Sequence, residues 1–578
     1  MSALRNRPAD AIGAGRLRLL ALCFGLAFIS IGLRLVDMAT AEPRTVATSP
    51  RAAEDGVELR RAAILDRNGE LLASNIVTLS VIGDPLMMND PEAAAIALAR
   101  VLDGVNAAEL NARFARGGRF AWVKRQISPA EQAAVLELGL PGIGFELGER
   151  RVYPRGREAA HVLGFTGIDN QGLAGIEYGL DERLRGGADL GKPDLALSLD
   201  RRIQRIAHAA TAAGVDRFAA TGACTIVLDI RTREVLALVS LPDYDPNRAE
   251  RASAEARRNR CTADVYELGS LFKVVSAAMA LESGEVSIYD RFDASESLRI
   301  GRHRIRDFRG HQRWLSLPEV FAFSSNIGTV KMTFAAGGSE VQKPFLQSLG
   351  LFERPVLDIP ETTRPLVQER WPDVVAATVS YGHGISVSPL QFTEAVATLV
   401  GDGKRLPATF LRREPETLPA LLEQAPTVVS ERTIDNLRWL MWLTVERGSG
   451  ANGGVEGYMV GGKTGTADKP TGSRRGYDGR AVISSFVGVF PADDPRYAVL
   501  SVLDEPQGDA ETWGFRTGGW TAAPVVSRII AQAGPVLGVP RTALATEVAF
   551  ADRLEVMPVM NGRTRRMEDG FAAASLTR

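Results

Sequence analysis

Three short polar segments, Ser270-Leu271-Phe272-Lys273, Ser324-Ser325-Asn326 and Lys463-Thr464-Gly465-Thr466, lie in apolar surroundings. There are 54 residues from Ser270 to Ser324 and 137 from Asn326 to Lys463. Each segment is weak evidence by itself: a capped helix, a polar turn and a Gly-containing hairpin would account for them one by one. Together, and in this order, they require a fold that returns three distant stretches to one place. The flanks bound that domain. Asp200 is a helix N-cap signal ahead of RRIQRIAHAATAAGV, and CTIVLDI, a turn at Arg231-Thr232-Arg233 and EVLALVSLP read as a β-hairpin. A larger α/β domain is expected from there, over 195–540.

The remainder divides by composition. Leu19 to Leu33 is a run of fifteen uncharged, mostly apolar residues, about 22 Å as a helix against a hydrocarbon core of about 30 Å. Leu17, Leu35 and Val36 extend it, and Arg18 and Arg34 can snorkel to the head groups. Arg5, Arg7, Arg16 and Arg18 precede it and keep the N-terminus cytoplasmic. Residues 1–18 are thus read as a cytoplasmic N-terminus, 19–36 as a transmembrane anchor and 37–56 as a linker. A cleaved signal peptide ending at Ala39-Thr40-Ala41 is the competing reading; Arg34 and Asp37, between the apolar run and that site, favour an uncleaved anchor. Both export the rest of the chain. A turn at Asn68-Gly69 between β-like runs, helix-period stretches such as PEAAAIALARVL and SPAEQAAVLELG, and a Gly-rich patch describe a non-catalytic module over 57–190. Residues 541–578 read as a solvated, partly ordered tail.

Charge and metal-binding residues exclude several functions. The net charge is −1, which gives nucleic acid no global field to follow. The five histidines show no ligand spacing, so neither a metal nor another cofactor is expected. Cys224 and Cys261 read as buried small hydrophobes rather than as a disulfide framework. Only eight of the 68 basic residues are lysines. A lysine where arginine is the default is a group that can give up its proton, which sets Lys273 and Lys463 apart.

The chemistry of the three segments is that of nucleophilic acyl transfer. Gly269 and the run LFKVVSAAMALESG place Ser270 at a helix N-terminus, where backbone N–H groups favour developing negative charge. Lys273 shares its helix face and can act on the Ser270 hydroxyl, a poor nucleophile until a base takes its proton. To be that base the amine must be neutral, through burial or a second cation; Lys463 is the candidate cation. Ser324 can relay a proton between Lys273 and a departing amine, and Asn326 can hold a substrate carbonyl or orient Lys273. The 463–466 stretch has strand character, open to an added peptide strand. Lys463, Thr464 and Thr466 can grip a carboxylate, Gly465 allows close backbone approach, and the N–H groups of Ser270 and Thr466 can form an oxyanion hole.

In these motifs the chain resembles the class B penicillin-binding proteins, the peptidoglycan D,D-transpeptidases, and most of residues 17–535 share in the likeness. The motif trio is an established signature of that family. Arg61-Ala62-Ala63-Ile64-Leu65-Asp66-Arg67-Asn68-Gly69 is similar to the opening of the family's pedestal, with Ala62 in place of the usual glycine. Arg151-Val152-Tyr153-Pro154, His161 to Gly164 and Gly175-Ile176-Glu177 are similar to its second signature. Glu267-Leu268-Gly269-Ser270 lacks the usual proline. Tyr381-Gly382-His383-Gly384, Ser388-Pro389-Leu390-Gln391, Gly518-Gly519 and Ala523-Pro524 also resemble the family.

The resemblance implies a β-lactamase/transpeptidase-like fold of mixed α/β class, with a central antiparallel sheet flanked by helices, on a β-rich pedestal. It implies that Ser270 attacks the penultimate D-Ala of a stem peptide, that D-Ala leaves, and that a neighbouring stem's amine takes the acyl group. β-Lactams would trap Ser270. Length and pedestal are similar to the FtsI type, implying a septal role at the inner membrane, with the catalytic domain in the periplasm and an FtsW-like glycan polymerase and other divisome proteins as partners. The alternatives are an elongation-type transpeptidase, a β-lactamase, and a penicillin-binding sensor or divisome scaffold.

Overall fold

The structure is a computed structural model that describes residues 25, 28, 61–185, 194–301, 303–308, 310–470 and 477–553. The anchor proposed at 19–36 and the linker at 37–56 lie outside these, apart from residues 25 and 28, which are helical. Among the described residues no helix is long and apolar enough to cross a membrane.

The N-terminal part is built on β2 (Leu71–Gly83), a long strand that pairs antiparallel with β1 (Ile64–Leu65), β3 (Ala121–Ile127) and β4 (Ile143–Val152). Helices α1 (Pro91–Val101), α2 (Ala107–Ala115) and α3 (Pro129–Glu137) cover it, capped by Asp90, Asn106 and Ser128. Ser128 and Glu131 form a reciprocal capping box. Val81, Leu98, Leu110, Phe114, Val123 and Ile127 form a small core of their own. Beside it Glu177, fully buried, receives Arg61 and Arg151 on its two oxygens. The family-like arginines and glutamate of this module are therefore a structural ion cluster.

The turn at Asp66-Arg67-Asn68-Gly69 does more than close a hairpin. Asp66 accepts the Arg201 backbone N–H at 3.1 Å, and the Asn68 amide donates to Asp200 at 3.2 Å. Asp200 is the N-cap of α4 (Arg201–Phe218). Through β5 (Leu195–Ala196), which pairs parallel with β1, the same turn fastens the N-terminal module to the first helix of the large domain.

The large domain has a five-stranded antiparallel sheet in the order β8-β9-β10-β6-β7, from β6 (Gly222–Asp229), β7 (Val235–Leu241), β8 (Gly461–Pro470), β9 (Tyr477–Phe490) and β10 (Tyr497–Asp504). Its central strands are apolar on both faces because both are covered. Val227, Val239, Phe490 and Val499 meet α4 and α10 (Ala522–Val536) on one side. Cys224, Ile226, Leu238, Val487 and Leu500 meet the other helices: α5 (Lys273–Glu282), α6 (Leu317–Ala322), α7 (Asn326–Ala335), α8 (Pro389–Val400) and α9 (Glu431–Arg447). The tail is partly structured: α11 (Leu544–Asp552) docks on α9, where Trp439 donates to the Phe550 carbonyl at 3.1 Å.

One correction concerns the cysteines. Cys224 and Cys261 are joined by a disulfide, with Cα atoms 5.3 Å apart. Spacing hides this. Cys224 pairs in register with Ser240 of β7, and the Ser240 hydroxyl accepts the Arg260 backbone N–H at 3.0 Å, which lays residue 261 over the sheet. Thiol titration of the denatured, unreduced chain should find one thiol, Cys23, rather than three. Closing a 37-residue separation removes unfolded-state entropy, so reduction should lower stability by about 4 kcal/mol in denaturant titrations.

Candidate active site

Ser270 lies in a short 3-10 turn, Gly269–Phe272, that runs directly into α5. The turn is wedged against strand β8. Gly269 has φ +51°, and a β-carbon there would lie 2.4 Å from the Thr466 carbonyl oxygen. A β-carbon on Gly465 would lie 2.2 Å from Ser485 Oγ and 2.5 Å from the Leu268 carbonyl. Glycine at both positions is what lets the serine turn and the 463–466 strand touch. On its other side the turn is held by Glu267, whose carboxylate accepts the Gly384 backbone N–H at 2.9 Å. β8 is an edge strand of the sheet, with β9 on one side only.

Lys273 opens α5 and is buried, as is Lys463 on β8. Both amines reach one hydroxyl: Lys273 Nζ lies 3.1 Å from Ser324 Oγ and Lys463 Nζ lies 3.0 Å from it. Lys273 also donates to the Ser324 carbonyl at 2.5 Å and to Asn326 Oδ1 at 2.7 Å. Among the described residues its hydrogen bonds go to the 324–326 segment and none to Ser270, three residues before it. A buried amine seeks its strongest acceptors, and these are on the 324–326 segment. Ser324 itself has φ +61°, a conformation that costs a non-glycine residue about 1–2 kcal/mol and that aims its hydroxyl between the amines. Ser325 is the N-cap of α7 and Asn326 its first residue.

Burial pushes the Lys463 ammonium from its ordinary 10.5 down to about 7. Lys273 is held well below the usual lysine range, first by burial and then by the charge of Lys463, with Asp307 acting in the opposite sense. The wall continues through Thr464, whose hydroxyl meets Ser449 Oγ at 3.0 Å, and Thr466, whose Oγ1 accepts the Gly518 N–H at 3.1 Å. All eight residues singled out in the sequence (Ser270, Lys273, Ser324, Asn326, Lys463, Thr464, Gly465 and Thr466) thus come to one place. Ser449 and Asp307 were not singled out, since no motif marks a lone polar residue that tertiary folding brings alongside, and Glu267 was read only within the family-like Glu267–Ser270 stretch, with no role of its own. Among the described residues no group of His, Cys, Asp or Glu is arranged to hold a metal ion.

Comparison with known families agrees with this geometry. Residues 223–531 match the model of the penicillin binding protein transpeptidase domain, and 57–192 that of the penicillin-binding protein dimerisation domain. The chain is 38% identical over 493 residues to the probable peptidoglycan D,D-transpeptidase FtsI of Caulobacter vibrioides, covering 84% of this chain and 83% of that protein. This chain is a class B penicillin-binding protein. It is also 30% identical over 523 residues to the peptidoglycan D,D-transpeptidase FtsI of Escherichia coli K12, at 85% and 86% coverage. Its fold matches penicillin binding protein 3 of Mycobacterium tuberculosis in complex with aztreonam, with a TM-score of 0.66 at 24% identity, over 84% of this chain and 98% of that one.

The buried amines should cost the folded state stability. Because the folded pKa of Lys463 is lowered, the unfolded chain binds more protons between about pH 7 and 10.5, so this group makes stability rise as pH rises through that window. Lys463→Met should flatten that slope and raise Tm at pH 7, while β-lactam acylation falls. Thermal melts of both proteins across the window check the sign.

Proposed function

We propose that this class B penicillin-binding protein cross-links stem peptides in the septal wall through an acyl-enzyme on Ser270. The observation that carries the reading is the convergence of two buried lysine amines, from α5 and β8, on the Ser324 hydroxyl beside the Ser270 turn.

In this reading a stem peptide adds along β8 by main-chain hydrogen bonds, with its terminal carboxylate held by Lys463, Thr464 and Thr466. Gly465 keeps that strand low enough for the peptide to lie against the serine turn. Neutral Lys273 takes the Ser270 proton as Oγ attacks the penultimate D-Ala carbonyl. The amine keeps two N–H groups for the Ser324 carbonyl and Asn326 Oδ1, which hold it in place while its lone pair works. The backbone N–H groups of Ser270 and Thr466 receive the oxyanion, each worth about 2.7–4 kcal/mol of barrier by analogy with measured donors. Ser324, bonded to both lysines, passes a proton to the departing D-Ala amine. The incoming amine of a neighbouring stem then reverses these steps. A β-lactam follows the first half and stays attached. Glu267 supports the serine turn from outside the reaction.

The septal assignment is supported by the FtsI names of the Caulobacter and Escherichia relatives. The apolar run at 19–36 fits a single inner-membrane anchor with the catalytic domain, 195–540, outside. The pedestal, 57–190, fits a contact surface for a membrane-embedded FtsW-like glycan polymerase and other divisome proteins. Three outcomes test the reading. A fluorescent penicillin should form a stable adduct with the full chain that Ser270→Ala abolishes, whereas rapid turnover of the label would indicate a β-lactamase. Ser324→Ala should slow acylation by about a hundredfold, on the scale of losing a positioned proton-transfer group. Depletion in cells should give filaments; rounded cells would mean an elongation role.

A further inference from the structure

Asp307 lies just beyond the short strand His303–Ile305, outside the motifs read in the sequence. Its two carboxylate oxygens are both committed to the 324–326 segment and the residue after it. Oδ2 accepts the Ser325 hydroxyl at 2.7 Å, and Oδ1 accepts the Ile327 backbone N–H at 2.9 Å. Ser325 Oγ in turn accepts the Gly328 N–H at 2.9 Å, so the N-cap hydroxyl is used in both directions. The preceding carbonyl, that of Arg306, accepts the Asn326 side-chain amide at 3.1 Å. That bond orients the Asn326 side chain with Oδ1 toward Lys273, 2.7 Å from its amine.

An ordinary helix start needs only its N-cap. Here a carboxylate is added over the first turn of α7, where the helix dipole favours it, and it fixes the Ser325 hydroxyl and the Ile327 N–H on either side of Asn326, whose amide the neighbouring Arg306 carbonyl holds. We propose that Asp307 is a positioning residue for acyl transfer, holding the Ser324–Asn326 segment in register and setting the electrostatic field at the Lys273 amine. The proposal rests on the reading of Lys273 as the base.

The charged groups acting on that amine are Lys463 from β8, which disfavours its protonation, and Asp307, which favours it. The helices packed on α5 contribute apolar residues to the core they share with it, among them Val330 of α7, Phe392 of α8 and Leu440 of α9. Asp307 is thus the counterweight that keeps burial and Lys463 from shifting the amine too far.

The two roles separate by substitution. Asp307→Asn keeps an oxygen for the Ile327 N–H and a polar group for Ser325 but removes the charge. Asp307→Ala removes both. The measurement is the second-order rate constant for acylation of the full chain by a fluorescent penicillin, as a function of pH, with Ser270→Ala alongside. In the wild type the rate should rise with pH as Lys273 loses its proton. Removing a negative charge makes that loss easier, so Asp307→Asn should move the acid limb to lower pH by about one unit. Asp307→Ala should lower the plateau by about tenfold to a hundredfold, with thermal melts reporting whether it folds. An unshifted limb in Asp307→Asn overturns the electrostatic role. A wild-type plateau in Asp307→Ala overturns the positioning role. Labelling that survives in Ser270→Ala overturns the acyl-enzyme reading itself, a result distinct from either.

Discussion

Two primary amines are taken out of water to meet at a single hydroxyl, and the rest of the catalytic domain is arranged around that unfavourable placement. Among the described residues, neither Lys273 nor Lys463 has a carboxylate in direct contact. Their partners are carbonyls, an amide oxygen and a hydroxyl, acceptors that satisfy donors without restoring the full cost of burying a positive charge. The result is a pair of lysines held below their ordinary range, which is what an amine needs to work as a base near neutral pH. The same feature sets a conflict between stability and activity: the site is a place where the fold gives up free energy.

Several devices hold that site in shape. The sheet is sandwiched between two apolar layers, so β8 has a rigid backing on one side and an open edge on the other. The disulfide ties β6 to the segment nine residues before Ser270. Glu267 pins the turn itself to Gly384. The turn at Asp66–Gly69 locks the N-terminal module to the first helix of the domain. These contacts form one continuous body from the pedestal to the serine turn.

Much of this was legible along the chain where local rules decide. The helix capped by Asp200, the hairpin of β6 and β7 and the helix that begins just after Ser270 all follow from caps, periodicity and turn residues. The eight site residues were legible because their chemistry comes in compact motifs. Other features were not. The disulfide depends on β-sheet register bringing residue 261 over residue 224, which no spacing rule encodes. The docking of α11 depends on a groove at Trp439 and Trp442 that exists only after folding. The hydrogen bonds of Lys273 to Ser324 and Asn326 depend on a segment more than fifty residues away in the chain.

The sequence by itself determined the chemistry on offer: a serine, two lysines, a serine–asparagine pair and a glycine-relieved strand, in an order and context that fit one reaction class. It could do so because each group's function is intrinsic to the side chain and its immediate neighbours. Only the tertiary structure decided which acceptor each amine takes, how far burial lowers its proton affinity, and that Asp307 stands behind the segment that receives it. Those properties belong to distances and dielectric surroundings, and both are created when remote parts of the chain pack together.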